Sequence, residues 1–424
     1  MNSGGLGLGA LAGVRVLDLG RVLAAPWATQ MLGDLGAEII KIERPGNGSD
    51  ERAYGPEFMT DAVGQRSLHS AFHNCTNRNK RSVAVDLSTA DGRDLVLQLA
   101  SKCDVFVENF VPGKACKLGL DYPAVRAANP RIIYASLSGY GQSGPLSDRP
   151  GYDPIFQARS GMMSTTGIPA GQPGGGPMRT GASLVDVATG YNLAIAILAA
   201  LYHRDARGGQ GQQIDVALFD TAIAMQSHAL ANYLISGNQP ARTGMAGNGG
   251  HPASAFACRN GILYISAGQD GFFSALCSVL GCNDLVYDPR FDTITRRGEH
   301  REVLDAVLVP LIAEWDIDDL YDALEAARVP CARLNEYSAL RDDPQVGHRE
   351  VLRSFENAHD VPGPVPTVAN PIRLSATPVR YDMPPPALGE HTAKVLVDLL
   401  GLSGREIDDY NDRGVVRCAD YGGG

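Results

Sequence analysis

Short apolar runs alternate with helical periodicities along the first part of the chain. Residues 14–19 (VRVLDL), 38–42 (EIIKI), 103–107 (CDVFV) and 131–137 (RIIYASL) are short and rich in β-branched side chains, so they predict strands. Between them, residues 28–35 carry Met31, Leu32 and Leu35 at helical spacing, with Gly36 as the stop. Ser88 or Thr89 can cap a helix running to Ala100, and 122–128 predicts a short one. Strands alternating with helices of this length make a parallel sheet covered on both faces, a Rossmann-like α/β domain.

Beyond residue 138 the pattern changes. Residues 139–181 are rich in Gly, Pro and Ser and read as one long loop, of the kind that usually carries function. An apolar helix is expected over 189–203, then a strand at 211–218 leading into another helix. A second Gly-rich segment, 244–250 (GMAGNGG), precedes an α+β stretch to about 330. A Pro-rich connector covers 361–386, and helices at 392–400 and 404–411 lack an obvious partner, so they are expected to pack back on the first domain. The expected division is a large Rossmann-like part at 1–220, a small α+β domain at 221–330, and a returning segment at 331–424.

Composition narrows the function classes. At 424 residues, 44% hydrophobic and 20% charged, the chain is an ordinary globular protein. Its 49 Gly and 26 Pro follow no collagen-like period and indicate many tight loops. The net charge of −10 excludes a broad nucleic-acid surface, although residues 1–150 carry +1 and the remainder −11. A near-neutral N-terminal part leaves room for an anionic ligand. The longest apolar run, 193–201, is far below the roughly 18 residues that span a bilayer, so no membrane partner is expected. The first residues lack the charged and apolar regions of a signal peptide, and eight Cys include no C-x-x-C pair. Reduced thiols in a cytoplasmic protein are therefore expected.

Common catalytic motifs are missing. Residues 7–12 match G-x-G-x-x-A but precede the first strand instead of following it, so they read as a leader. No P-loop, H-E-x-x-H, G-x-S-x-G or EF-hand occurs. A carboxylate is left as the best catalytic candidate. Asp186 lies in GASLVDVATG, after the long loop and ahead of the apolar helix. Its small neighbours Ser183, Ala188 and Gly190 suggest room for an acyl group, and a helix N-terminus there could offer N–H groups to an oxyanion. The alternative is that Asp186 only caps the helix.

Eight ordered blocks carry a family resemblance: GVRVLDLGRVLAAPWATQMLGDLGAEIIKIERPGNGSD (13–50), NRNKRSVAVDL (77–87), DVFVENFVPG (104–113), NPRIIYASLSGYGQSGP (129–145), GYDPIFQARSG (151–161), LVDVATG (184–190), GGQGQQIDVAL (208–218) and LGEHT (388–392). Over about residues 12–416 the chain resembles the class III CoA-transferases, the CaiB/BaiF family. The resemblance implies a CoA-transferase that moves CoA from an acyl-CoA donor to a free carboxylic acid. It also implies a homodimer of interlocked ring-like protomers and a large domain built from both chain ends. The family's nucleophilic aspartate falls on Asp186, and its Gly-rich lid falls on 247–250, with Gly249 and Gly250 at the site.

The same resemblance assigns a CoA site. Leu23 and Ala24 fall at the thioester end, where some members have Gln in place of Leu23. Arg44 matches a nucleotide contact, Val85 to Ser88 a segment beside the adenine, and Asn109, Phe110 and Val111 a loop at a strand end. Lys117 stands where Arg is common. Asp153 either orients the CoA arm or caps a turn, and Arg179 could hold an acceptor's second carboxylate. No metal, nicotinamide or flavin is implied.

The main alternative on this fold is an α-methylacyl-CoA racemase, which carries a His where this chain has Tyr152. A phenol with an ordinary pKa near 10 is a poor base at neutral pH. A silent acyl-CoA-binding protein and a thioesterase are further alternatives. Donor and acceptor stay open at this point, from oxalate to dicarboxylates and bulkier acids.

Overall fold

The structure is a computed structural model that describes residues 9–247, 250–356 and 361–419. Its chain forms two compact units. The first comprises the described parts of Met1–Met162, Thr180–Ala231 and Gly347–Gly424; the second comprises Met163–Arg179 and Asn232–Val346.

The first unit is organised by a seven-stranded sheet: β1 (Arg15–Leu19), β2 (Glu38–Glu43), β3 (Lys80–Val85), β4 (Val105–Glu108), β5 (Ile133–Ser138), β6 (Gln213–Ala217) and β7 (Val416–Arg417). The order across the sheet is β6-β5-β4-β1-β2-β3-β7, with every pair parallel except the antiparallel β7 at the edge. This is the 3-2-1-4-5-6 order of a Rossmann sheet, and the order reverses between β1 and β4.

Alternation along the strands explains the layering. Val16, Ile39, Val105, Val107, Ile133 and Ala135 turn to one face, where α1 (Ala24–Asp34) supplies Ala28 and Leu32. Leu17, Ile40, Val83, Phe106 and Tyr134 turn to the other, where α2 (Ala90–Ala100) packs Leu95, Val96 and Leu99. Thr89 caps α2 by accepting from Gly92 N at 3.0 Å. The second face is completed by Val395 and Leu396 of α5 (Thr392–Leu400) and Ile407 of α6 (Gly404–Asp412). The large unit is therefore built from both ends of the chain.

Three sequence expectations change here. The segment read as a loop at 139–181 contains α3 (Asp153–Arg159), a one-turn helix Met162–Thr165 and the strand pair Gly167–Ile168 with Gly176–Pro177. The helix expected over 189–203 is α4 (Leu184–Ala206), which begins five residues earlier. By length and composition, at a mean hydropathy of 1.8, α4 would be able to cross a membrane; Asp186, Thr189 and Asn192 interrupt its apolar run without interrupting the helix. In this fold Val185, Leu193, Ala194, Ile197 and Leu201 bury one stripe of it against the sheet. The boundaries at 220 and 330 also differ from the compact units. The second unit runs from Asn232 to Val346 and includes the strand pair formed within Met163–Arg179.

The second unit has its own core. A three-stranded antiparallel sheet, Ala253–Cys258, Gly261–Ser266 and Cys331–Arg333, packs Phe256, Leu263 and Ile265 against Phe273, Leu276, Leu304, Leu308 and Leu320.

Candidate active site

Asp186 occupies the third position of α4, not its N-cap. The cap residue is Ser183, whose side chain makes no capping bond. The cap comes from α3: Asp153, buried at the first position of that helix, accepts from Val185 N at 2.8 Å and Asp186 N at 3.1 Å through one carboxylate oxygen. The other oxygen accepts from Gln157 Nε2, which also reaches Thr180 Oγ1 at 2.9 Å. Asp153 thus serves as a cap for another helix, not for a turn of its own.

Two consequences follow for Asp186. The amides at the start of α4 already donate to Asp153, so they are not the oxyanion donors that the sequence suggested. The Asp186 carboxylate has no ion pair or side-chain hydrogen bond among the described residues, and Asp153 presents it with a like charge. Burial, followed by the repulsion from Asp153, pushes its pKa up from 3.8 to about 7. Gly190 also has a different role from the one expected. A Cβ there would meet Ala24 O at 2.7 Å and the Trp27 ring at 2.9 Å, so its missing side chain lets α4 approach α1 instead of making room for an acyl group.

Asp186 lines a crevice of about 210 Å³ at the carboxyl ends of the strands, where the strand order reverses. The turn after β1 contributes Arg21 to Ala24, the loop after β4 contributes Asn109 to Pro112, and Arg149 to Tyr152 lead into α3. A second crevice of about 280 Å³ lies over β1, β2 and β3 and is lined by Arg44, Val85, Ser88 and Lys114. Arg21 and Phe110 line both crevices, with the guanidinium 5.0 Å from the ring centre, so the two are contiguous.

The expected site residues distribute as follows. Leu23, Ala24, Asn109, Phe110, Val111, Tyr152 and Asp186 line the first crevice; Arg44, Val85, Ser88 and again Phe110 line the second. Lys117 lines neither, although Lys114, one turn earlier on the same short helix, does. Asn109 turns its amide inward: its oxygen accepts from Arg21 N at 2.9 Å and its nitrogen donates to Arg21 O at 2.8 Å. Arg44 is held by Asp50 at 2.5 Å and by Gly48 O at 3.2 Å, yet its side chain stays 60% exposed. Gly249 lies outside the described residues, and Gly250 and Arg179 belong to the second unit. Arg21, Lys114 and Arg149 are lining cations that the sequence did not single out. Arg21 was the most findable of them, because only Gly20 separates it from the end of β1.

Comparison with known proteins decides the family. The sequence matches the family model of CoA-transferase family III over residues 11–392. The chain belongs to CoA-transferase family III. It is similar to a succinate–glutarate CoA-transferase of Agrobacterium fabrum, at 42% identity over 92% of this chain and 95% of that one. It is also similar to a human succinyl-CoA:glutarate CoA-transferase, at 37% identity over 96% and 90%. A crystal structure of a CaiB/BaiF family protein from Brucella suis superposes with a TM-score of 0.81 at 38% identity, over 93% of this chain and all of that one. As a family III CoA-transferase, the enzyme uses acyl-CoA as substrate. Among the described residues no group of three or more His, Cys, Asp or Glu is placed to hold a metal ion.

Proposed function

We propose that this enzyme transfers CoA from succinyl-CoA or a similar acyl-CoA to a dicarboxylic acid of the glutarate class, with Asp186 as the nucleophile. The observation that carries this reading is a carboxylate without a cationic partner on the wall of the crevice at the strand ends. The names of the two relatives favour this donor and acceptor class over oxalate or bulkier acids.

The chemistry uses that carboxylate throughout. Asp186 attacks the thioester carbonyl, forming a mixed anhydride and releasing CoA thiolate. The thiolate attacks the Asp186 carbonyl of the anhydride, which frees the donor acid and leaves an aspartyl-CoA thioester. The acceptor carboxylate attacks that thioester, giving a second anhydride and thiolate. The thiolate then takes the acceptor acyl group and regenerates Asp186. Poor solvation of Asp186 makes it a stronger nucleophile than an exposed carboxylate once it is ionised. Water must be kept from both anhydrides.

The CoA arm runs from the first crevice into the second. Phe110 and Val85 offer apolar walls there, and Arg44, Arg21 and Lys114 offer charge to the phosphates. Two observations support a homodimer. The helix Ser227–Ser236 has no buried residue in the isolated chain, and its Leu234 and Ile235 are 73% and 86% exposed. Sedimentation of the purified protein tests this, and a monomer at micromolar concentration would rule it out.

A racemase reading needs a base at Tyr152. That phenol is exposed and lies close to Tyr54, whose own pKa is pushed up to about 12 by burial and by Tyr152, so the position holds no imidazole-like base. The deciding experiment mixes the protein with succinyl-CoA and a panel of carboxylic acids and reads new acyl-CoA species by mass, with Asp186→Ala in parallel. Transfer to glutarate in the wild type only is expected. α-Proton exchange into deuterated water without any transfer would overturn the reading.

A further inference from the structure

We propose that Glu51 is a positioning residue for the transfer reaction: it holds the turn between β1 and α1 in a left-handed conformation that forms the wall of the crevice beside Asp186. This rests on the reading of that crevice as the transfer site.

The turn is held almost wholly by side chains. Gly20 N donates to Asp18 at 2.8 Å, and Gly20 O accepts from Lys41 Nζ at 2.9 Å. Both backbone groups of Arg21 are taken by the Asn109 amide. Val22 N donates to Glu51 Oε2 at 3.0 Å, while the other Glu51 oxygen pairs with Lys41 at 2.8 Å, both side chains fully buried. At the centre of this clamp Val22 has φ +68°, a conformation that a β-branched residue adopts only when its surroundings impose it. Leu23 and Ala24, the next two residues, line the crevice with Asp186 and start α1. Strain of this kind persists where the geometry serves a purpose, and here it fixes where the wall stands relative to the carboxylate.

The isosteric change Glu51→Gln tests this specifically. A carboxylate accepts on both oxygens, but an amide accepts on only one. The buried Lys41 ammonium demands the oxygen, which turns the amide NH2 toward Val22 N–H, donor against donor. Val22 is then free to leave the left-handed region. The expected result is a fall in kcat of tenfold or more, while the Kd for free CoA stays within about twofold, because the Asn109 amide still holds Arg21 and the other residues lining the second crevice lie outside the clamp. Adding Val22→Gly to Glu51→Gln should restore at least threefold of the lost kcat without restoring Tm, since Gly adopts positive φ without strain. A Glu51→Gln enzyme with wild-type kcat, an equal loss in CoA affinity, or no recovery in the double variant would each overturn the proposal.

Hydrogen exchange on the wild type supplies a second measurement that needs no variant. The Val22 amide should be protected to the level of the β1 core, and rapid exchange there would overturn the clamp. Exchange and CoA affinity do not depend on turnover. A wild type that transfers to no acid yet protects Val22 would therefore fault the proposed function and not the clamp.

Discussion

The large unit treats a group of fully buried carboxylates and the half-buried Asp186 in opposite ways. Under β1, β2 and β3, each is matched with a cation. Asp18 meets Lys80 at 3.0 Å and Thr29 at 2.6 Å, Glu43 receives a two-pronged contact from Arg52 at 2.7 and 2.8 Å, and Asp34 does the same with Arg78 at 2.9 and 2.6 Å. Burial alone would raise the Asp18 and Glu43 carboxyls. Lys80 with Lys41 and Thr29, and Arg52 with Lys41, together override it, so Asp18 lies below its ordinary value and Glu43 well below. At Asp186 burial and the neighbouring Asp153 act in the same direction, and no cation answers them. Two other buried carboxylates also lack a cation, but hydrogen bonds hold them: Asp153 accepts from two backbone amides and Gln157, and Glu108 from Phe110 N. Asp186 has neither a cation nor a side-chain hydrogen bond among the described residues, which is the environment expected of a reactive group.

The comparison is broken most severely by removing each kind of carboxylate or its partner. Asp186→Ala should lower transfer by about a thousandfold or more, with Tm unchanged or raised, as measured by acyl-CoA mass analysis beside a thermal melt. A residual rate within tenfold of wild type would assign the nucleophile elsewhere. Arg52→Leu should do the reverse. It strands Glu43 in the interior and costs about 3–5 kcal/mol of stability, read from denaturant midpoints. If Arg52→Leu were neutral, the matched network would have no structural role.

The same contrast explains what was legible in the sequence. Strands β1, β2, β4 and β5 were readable because their apolar runs are short and β-branched. Strand β3 was not, since it begins Lys80-Arg81-Ser82; a lysine reads as exposed, and only the partner Asp18 on β1 makes a buried Lys80 tolerable. The start of α4 was hidden for a related reason. Its cap is Asp153, far away in sequence, so no local signal existed at Ser183. Most of the residues that the resemblance assigned to the site line one crevice or the other, but which side chains turn inward and which stay on the wall was not legible. That Asn109 clamps Arg21, that Gly190 admits α1 and that Lys114 lines the second crevice while Lys117 does not all depend on tertiary contacts.

A smaller effect sharpens the comparison through pH. A carboxylate nucleophile raised to about 7 must lose its proton to act, so kcat/KM should rise about tenfold per pH unit from pH 5 and level off above 7. The stability effect has the opposite sign from that of Asp18 and Glu43. A raised folded-state pKa means that the native state binds the proton more tightly than the unfolded chain does. The contribution of Asp186 is therefore most favourable below its ordinary 3.8 and is lost as pH rises through about 7. Asp186→Asn should accordingly raise Tm at pH 8, with the gain shrinking toward zero near pH 4. An equal gain at both pH values would mean that the native Asp186 carboxyl titrates in the ordinary range.

The smallest expected effect separates two cations that the resemblance placed at the CoA site. Arg44 lines the second crevice and is mostly exposed, already bridged to Asp50, so a phosphate must share it. Arg44→Ala should raise the KM for acyl-CoA about three- to tenfold with kcat little changed, as expected for an interaction made equally in ground and transition states. Lys117→Ala should leave both constants within about twofold, because that side chain lines neither crevice, whereas Lys114→Ala should behave like a weaker Arg44→Ala. An effect at Lys117 equal to that at Arg44 would mean that the nucleotide lies outside the second crevice, along the other side of the short helix. The ordering of these three lysine and arginine variants thus tracks the path of the CoA arm more finely than any single one of them.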